Sequence, residues 1–412
     1  MEYKANGLQN AARWAAMGSA VAAMVSVAVS QSLLGAAAAL LLLSRKRWTL
    51  PPGALWFACF TGWTLLSLLL NGDPAGGLPQ VRKLYVWLLL FVLVSTLRGA
   101  GDFKLILQGW LALGTVASLR GLWQFWMKWQ AAASSGTDFY QAYVGSRITG
   151  FMSHWMTFSS QMMVALLCGG ALLLFSAKTR KSRWLLAAAL APVSAALLLG
   201  FTRGIWIAAA AGAVYLAWNW KKWSVLALPL AAALLLATGP ASVQERLASL
   251  VRPHGETDSN QHRVVTWRTG MEMIRAHPLL GLGPEQVGKR FESYLPADIS
   301  KPLPEGWYGH LHNIYLQYAA ERGLPALWFL LLCFFAQTRR WRRSLQSGFM
   351  PAWAFHAAMA LLIGFLVTGF FEHNLGDSEV LALLLGALGG AASAARPRPA
   401  DGPAQGVDFG SA

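Results

Sequence analysis

Charged residues are scarce in this chain, and acidic residues are scarcer than basic ones. Only 13% of the 412 residues are Asp, Glu, Lys or Arg, whereas a soluble protein carries about a quarter. Apolar residues make up 55% of the chain, and long apolar runs recur along most of it. Runs of this kind are typical of membrane-spanning helices. The composition therefore excludes an ordinary soluble domain and predicts an all-α integral membrane protein.

Cysteine is also rare, which limits what the thiols can do. Cys59, Cys168 and Cys333 each fall inside an apolar run, and no CxxC pair or other metal-binding spacing is present. These positions exclude a zinc module and favour buried structural thiols. The first apolar run continues into a second one without a small-residue cleavage site, so no cleavable signal peptide is predicted.

Several catalytic motifs are missing as well. The chain has no DxD acidic pair for Mg²⁺ or Mn²⁺, no P-loop, no dinucleotide-binding glycine motif and no serine nucleophile elbow. We therefore predict no metal and no cofactor. Any group transfer would instead use fixed cations to stabilise a leaving phosphate.

The apolar runs predict about twelve spans, with the N-terminus in the cytoplasm. On that topology most of the basic clusters lie inside, where the only acids are Glu2, Asp102, Asp401 and Asp408. The positive-inside rule thus accounts for the net charge of +16, and no nucleic-acid partner is predicted. The predicted spans cover residues 11–28, 31–44, 53–71, 84–97, 105–127, 157–176, 184–200, 204–220, 223–238, 311–336, 351–371 and 376–394.

The spans divide the chain into four regions. Residues 1–238 hold transmembrane helices 1–9, and residues 311–394 hold helices 10–12. Between them, residues 239–310 contain equal numbers of acidic and basic residues and predict a small folded periplasmic cap. Within the cap, a helix is predicted over 261–276, with Val264, Trp267, Met271 and Ile274 on one face. Residues 395–412 are rich in Pro, Gly and Ala and predict a disordered cytoplasmic tail.

Some basic residues lie outside the predicted cytoplasmic segments, where the positive-inside rule does not predict them. Arg203 lies in a glycine-flanked break between two spans, and Arg82 and Lys83 begin span four on the outer side. Arg263 falls in the first turn of the cap helix, where a cation opposes the helix dipole unless an anion binds there. Each residue has a plainer alternative: snorkelling or outer-leaflet anchoring for the first three, and simple solvation for Arg263.

Two histidines precede a span at the end of the cap. His310 and His312 are followed by Asn313, and imidazoles exchange protons near neutral pH. They are candidates for an acid–base site, although interfacial histidines also serve structural roles. Residues 372–374 (EHN), with Asp377, join the last two spans and either support that site or shape a turn.

Four motifs together resemble the O-antigen ligase and O-antigen polymerase superfamily. His312 and Asn313, followed after nine residues by Gly323, resemble its H-[NSQ]-x9-G-x-x-G signature, with Ala326 in place of the last glycine. Residues 202–204 (TRG) resemble its S/T-R-G turn. Residues 263–267 (RVVTW) with 277–283 (HPLLGLG) resemble its cap motif, and 147–150 (RITG) resembles its R-x-T-G entry to a span. The resemblance covers about 50–390, and the order of the motifs makes it more specific than any one of them.

The resemblance implies a GT-C-like membrane glycosyltransferase that is inverting and metal-independent. An O-antigen ligase would act in the bacterial inner membrane, with its site facing the periplasm. It would move a glycan from undecaprenyl diphosphate to lipid A-core, in contact with membrane lipids. The implied catalytic residues are His312, Arg203 and Arg263; the substrate-binding residues would be Arg82, Lys83, His310, Asn313 and Arg147.

Other readings of the sequence remain open. The same residues fit a polymerase using the same lipid carrier, or a protein O-oligosaccharyltransferase. A transporter of a lipid-linked oligosaccharide is the alternative from another class, since outer cations can bind such an anion without reacting. Matched halves with broken helices, which many transporters show, are not evident here.

Overall fold

The computed structural model describes residues 2–248 and 259–397, and within these ranges the chain is helical without β-strands. Short 3₁₀ segments cover Lys83–Trp87, Lys222–Leu226, Phe291–Tyr294 and Asn374–Gly376. The α-helices are α1 (Glu2–Ala22), α2 (Val27–Leu43), α3 (Ala54–Leu70), α4 (Pro74–Arg82), α5 (Leu88–Thr96), α6 (Ala100–Ser135), α7 (Phe139–Gly145), α8 (Trp155–Phe175), α9 (Arg180–Leu199), α10 (Arg203–Trp220), α11 (Ala227–Thr238), α12 (Ala241–Ala248), α13 (Ser259–Ala276), α14 (Gln286–Lys289), α15 (Ile314–Gln346), α16 (Ala352–Thr368) and α17 (Ser378–Ala394).

The apolar runs predicted as spans are helical, which confirms the all-α membrane class. The count of about twelve spans remains a prediction. Shorter apolar helices cover Val27–Leu43, Ala54–Leu70, Lys222–Thr238, Ala352–Thr368 and Ser378–Ala394. The segments long and apolar enough to cross a membrane are Pro74–Thr96, Ala100–Ser135, Trp155–Phe175, Arg180–Leu199 and Ile314–Gln346.

The last helix, α17, runs through the interior of the bundle. All its side chains from Val380 to Ala394 are buried, and it packs against α5, α6, α8 and α16. A helix that is apolar on every side is expected in such a central position. The residues just before α17 are therefore fixed in position at one end of the packed bundle. Of the tail predicted to be disordered, residues 398–412 lie outside the described ranges.

Residues 259–313, from the start of α13 to the start of α15, form a cap with a small core of its own. Val265, Met273 and Ile274 of α13 pack with Leu282 and other apolar residues of the cap. Ala319 and Ala320 of α15 complete this cluster, so the cap is seated on a membrane helix. Since a packed core fixes its members against one another, the polar residues on the cap's inner surface are held in place.

The helix predicted over 261–276 is confirmed, but its buried face differs from the apolar stripe read from the sequence. Val264 and Met271 are exposed, whereas Thr266 and Thr269 are fully buried. Each threonine hydroxyl donates to a backbone carbonyl one turn back, Arg263 O at 3.0 Å and Val265 O at 2.9 Å. These bonds satisfy the hydroxyls, so the threonines can be buried at little cost.

A break in α15 joins the cap to the bundle. Gly323 has a φ of 80° inside the helix, a left-handed conformation that glycine adopts readily. The freed carbonyls of Ala320 and Glu321 accept the amides of Leu282 and Gly283, each at 2.8 Å. On the other side, the Trp63 indole of α3 donates to Leu279 O at 2.9 Å. The backbone of residues 277–283 thus connects α3 to α15 through hydrogen bonds, and we name this connection the clasp.

Candidate functional site

A cavity of about 700 Å³ lies between the cap and the bundle. Its walls come from five separate parts of the chain: the end of α4 with the 3₁₀ turn after it, the entry to α8, the inner surface of the cap, the start of α15 and the loop between α16 and α17. The polar residues lining it include Lys83, Arg147, His154, His262, Glu285, His310, His312, Glu321, Glu372, His373 and Asp377. A concave site with converging polar groups of this kind is the usual form of a substrate pocket.

His312 occupies a strained position at the edge of this cavity. Its backbone φ is 48°, which is uncommon for a residue with a side chain. Its Nε2 lies 3.3 Å from the carbonyl oxygen of Trp307. Because a carbonyl can only accept a hydrogen bond, Nε2 carries the hydrogen and Nδ1 keeps the lone pair in the neutral ring. Strain of this kind is characteristic of functional sites, and here it aims Nδ1 at Glu372.

Asn313, the next residue, serves as the N-cap of α15. Its side-chain oxygen accepts the amides of Tyr315 at 3.0 Å and Leu316 at 3.1 Å. Its amide nitrogen lies 3.3 Å from Phe370 O, to which it donates. Both ends of the side chain are thus engaged with backbone. The structure therefore gives Asn313 a role in fixing the turn that carries His312, and it is absent from the cavity wall.

Glu372 links two of the residues singled out from the sequence. Its Oε1 accepts from the Arg263 guanidinium at 3.1 Å, and its Oε2 lies 4.0 Å from His312 Nδ1. The second distance is too long for a hydrogen bond. Within the described ranges Oε2 has no hydrogen-bond donor, although the side chain is only 4% exposed. A buried carboxylate oxygen without a donor indicates a place where a ligand hydroxyl can bind.

Four imidazoles form a chain across the cavity. The ring centroids of His262 and His312 are 4.9 Å apart, those of His312 and His310 are 4.1 Å apart, and those of His310 and His373 are 5.3 Å apart. Burial is the main cause that lowers the pKa of His262 to about 4, of His310 to about 2 and of His373 to about 3. These three rings are neutral at physiological pH. In the described ranges, no three His, Cys, Asp or Glu side chains are arranged to hold a metal ion.

Two cations line the cavity directly. Lys83 donates to Gly376 O at 2.9 Å, and Arg147 lies over the Trp155 ring with its guanidinium carbon 5.1 Å from the ring centroid. Burial, followed by the charge of Arg246, lowers the pKa of Arg147 to about 9. Arg147 therefore stays positively charged at neutral pH and can bind an anion in the cavity.

The structure places the other predicted cations differently. Arg203 is buried at the start of α10, donates to Asn260 Oδ1 at 3.1 Å and lies near enough to Arg147 to affect its pKa. Arg263 does not line the cavity itself, but its guanidinium forms an ion pair with Glu372, which does. Arg82 is exposed and is absent from the cavity wall. The structure thus brings Arg147, Arg203, Arg263 and Lys83 to one region but not Arg82.

Several functional candidates were missed or left undecided by the sequence. His262 immediately precedes Arg263 in the first turn of α13, and that adjacency was the only available signal. Residues 372–374 and Asp377 were weighed as either a support or a turn, and all four line the cavity. The buried His373 Nδ1 and Asn374 Oδ1 have no hydrogen-bond partner in the described ranges. Loop 372–374 thus presents three successive polar side chains able to meet a ligand.

The site is thus a polar, cation-lined cavity between a helical bundle and its cap. The family model described as O-antigen ligase matches residues 188–331, from α9 to α15. This match confirms the resemblance to the O-antigen ligase and polymerase superfamily and supports a bacterial membrane glycosyltransferase-like enzyme of ligase or polymerase type. It spans Arg203, Arg263 and His312. No curated protein matches the chain.

Proposed function

We propose that this protein is an O-antigen ligase of the bacterial inner membrane. It would transfer a glycan from undecaprenyl diphosphate to a hydroxyl of lipid A-core on the periplasmic face. The observation that carries the proposal is the cavity itself, which Arg147 and Lys83 line together with His312 and Glu372. An anionic leaving group and a proton acceptor are the two things that glycosyl transfer from a diphosphate requires.

In this mechanism the cations hold the donor. Lys83 and Arg147 contact the diphosphate directly, Arg203 strengthens the positive field behind them, and Arg263 holds Glu372 in place. Guanidinium groups suit this task because they bind phosphate oxygens in pairs. The charge that develops as undecaprenyl diphosphate leaves is stabilised by these fixed cations, and no metal ion is required.

His312 activates the acceptor. Its Nδ1 accepts the proton of the attacking hydroxyl, whose oxygen bonds to the anomeric carbon as the bond from that carbon to the phosphate oxygen breaks. Displacement from the opposite face inverts the anomeric centre. The resulting imidazolium is stabilised by the Glu372 carboxylate 4.0 Å away. His310 is the neighbouring alternative, but its lowered pKa makes it a weaker base than an ordinary histidine.

The test uses purified protein in nanodiscs with an undecaprenyl-diphosphate-linked glycan and one acceptor at a time. Lipid A-core should be extended, and His312→Ala should slow that transfer by about 10²- to 10⁴-fold, since a general base is lost. The matched control is His356→Phe, because His356 stacks on Phe175 at 4.4 Å and lies outside the cavity wall.

The acceptor that is used separates the competing functions. Extension of a second lipid-linked repeat would identify a polymerase, and extension of a pilin-like protein would identify a protein glycosyltransferase. Movement of labelled donor across the vesicle membrane without any glycosidic product would identify a transporter. Full activity of the His312→Ala variant would remove the base role of this histidine.

A further inference from the structure

A second groove, separate from the reaction cavity, lies beside Arg246. It has a volume of about 590 Å³ and runs between the end of α6, the start of α7 and α12. We propose that this groove, which we name the aromatic groove, binds sugar residues of the donor glycan. The inference rests on the proposed function and extends it to a glycan subsite. Its main lining residues are Phe125, Trp126, Trp129, Asp138, Tyr140 and Glu245.

The lining has the chemistry of a carbohydrate site. Aromatic rings offer flat apolar surfaces against which the C–H faces of a pyranose pack, and carboxylates accept bonds from its hydroxyls. Trp126 and Trp129 are 49% and 52% exposed, so both rings are accessible. The lining residues in the described ranges include two carboxylates and no Lys or Arg. An anionic lipid headgroup would be repelled there, whereas a neutral glycan would not.

The position of the groove fits the aqueous side of the membrane. Helix α6 has 36 residues, a length of about 54 Å, while the hydrocarbon core is about 30 Å thick. Trp126 lies at the end of the predicted span 105–127 and Trp129 lies just past it, so both are in the last third of that helix, near the predicted membrane surface. Sugars attached to a lipid carrier are found at this level and not among the acyl chains.

The groove is also connected to the proposed diphosphate site. The Tyr140 hydroxyl lies 3.4 Å from Arg246 Nη1, and Arg246 Nε donates to Phe201 O at 3.0 Å. The charge of Arg246 in turn acts on Arg147, which lines the reaction cavity. A donor glycan that extends from the diphosphate in this direction would meet the aromatic groove.

The alternative role for these tryptophans is anchoring at the membrane surface, where exposed Trp residues are common. The two roles differ in their dependence on glycan length. On this proposal a carrier with many sugar repeats fills the groove, whereas a carrier with one repeat makes few contacts there. Anchoring would affect both donors to the same extent.

The first experiment compares transfer from a short and a long donor. In the Trp126→Ala/Trp129→Ala variant, the KM for undecaprenyl diphosphate carrying many repeats should rise at least about tenfold, the loss expected from one stacked aromatic contact. The KM for the single-repeat donor and both kcat values should change by less than about twofold. The control is Trp184→Ala/Trp223→Ala, which removes two side chains that are each 66% exposed and lie outside the groove.

The second experiment does not depend on transfer. The polysaccharide released from its carrier is titrated calorimetrically into the nanodisc-embedded protein. The wild type should bind it, and both the double tryptophan variant and Glu245→Gln should bind it at least about tenfold more weakly. A wild type without affinity for the polymer, or equal effects on both donors, would overturn the glycan subsite. Absence of transfer with intact polymer binding would instead count against the proposed function alone.

Discussion

At the scale of single residues, burial decides which histidine can act as a base. His262, His310 and His373 are held neutral because their rings are removed from water, and each has a pKa of about 4 or lower. His312 lies among them with one nitrogen committed to a carbonyl and the other facing a carboxylate. Neutral neighbours place no competing charge beside the proposed base. The sequence could locate His310 and His312 but could not rank them, since their difference arises from folding.

The buried histidines predict a pH dependence of stability. An unfolded histidine has a pKa of about 6.5, so the unfolded chain binds more protons than the folded one between that pH and the folded pKa values. The contribution of these histidines to the free energy of unfolding is therefore complete above about pH 6.5 and is lost as the pH is lowered toward 4. Thermal unfolding in detergent should show a lower Tm at pH 5 than at pH 7.

A variant isolates this contribution from other titrating groups. His262→Phe removes one of the three proton sites while keeping a ring to face Tyr308, whose centroid lies 4.5 Å from that of His262. Between pH 7 and pH 5 its free energy of unfolding should fall less than that of the wild type, by roughly the contribution of one titrating proton. An equal or steeper loss in the variant would contradict the assignment of a lowered pKa to His262.

At the scale of secondary structure, the clasp between the cap and α15 depends on one glycine. A Cβ at Gly323 would lie 1.8 Å from Leu279 O, and the residue's φ is 80°. No shift of a side chain relieves this clash because the obstacle is backbone. Gly323→Ala should therefore destabilise the protein by about 4 kcal/mol or more and lower the Tm markedly.

Gly348→Ala is the matched control for this prediction. Gly348 has a similar φ of 74°, but nothing lies within 4 Å of a Cβ built there. Its substitution should cost only the backbone strain of about 1 to 2 kcal/mol. The two variants share the conformational penalty and differ in the clash, so similar Tm values for both would mean that the clasp does not restrain the cap.

The same elements show what a sequence can and cannot provide. The apolar runs predict the helices because each run must either be buried in the core or span the membrane, and the predicted end of the cap helix at residue 276 matches the end of α13 at Ala276. The buried face of α13 was misread because Thr266 and Thr269 satisfy their hydroxyls internally. The meeting of Lys83, Arg147 and Glu372 was not predictable in detail, since no local pattern encodes a contact between segments that far apart.

At the scale of the whole molecule, α15 is expected to cross the membrane between the cap and a basic cluster. Its part after the break at Gly323, residues 324–346, has a length of about 35 Å, enough to cross the hydrocarbon core of about 30 Å. The cap precedes it, and the cluster Arg339, Arg340, Arg342 and Arg343 lies near its end. The positive-inside rule predicts that this cluster lies in the cytoplasm and the cap in the periplasm.

Cysteine labelling tests this orientation. Ser300→Cys in the cap and Ser347→Cys after α15 are introduced into a chain lacking the three native cysteines; both serines are exposed. A membrane-impermeant maleimide added to intact right-side-out vesicles should label Ser300→Cys and reach Ser347→Cys only after permeabilisation. The reverse pattern would invert the topology, and labelling of both from outside would exclude a span between them.

The backbone clasp also sets an order for biogenesis. The amides of Leu282 and Gly283 emerge from the ribosome before α15, whose carbonyls they need as acceptors. The cap therefore cannot reach its final form while it is the newest part of the nascent chain. It must wait for the following helix to be synthesised, and the cavity is complete only after residues 372–377 of the later loop have also followed.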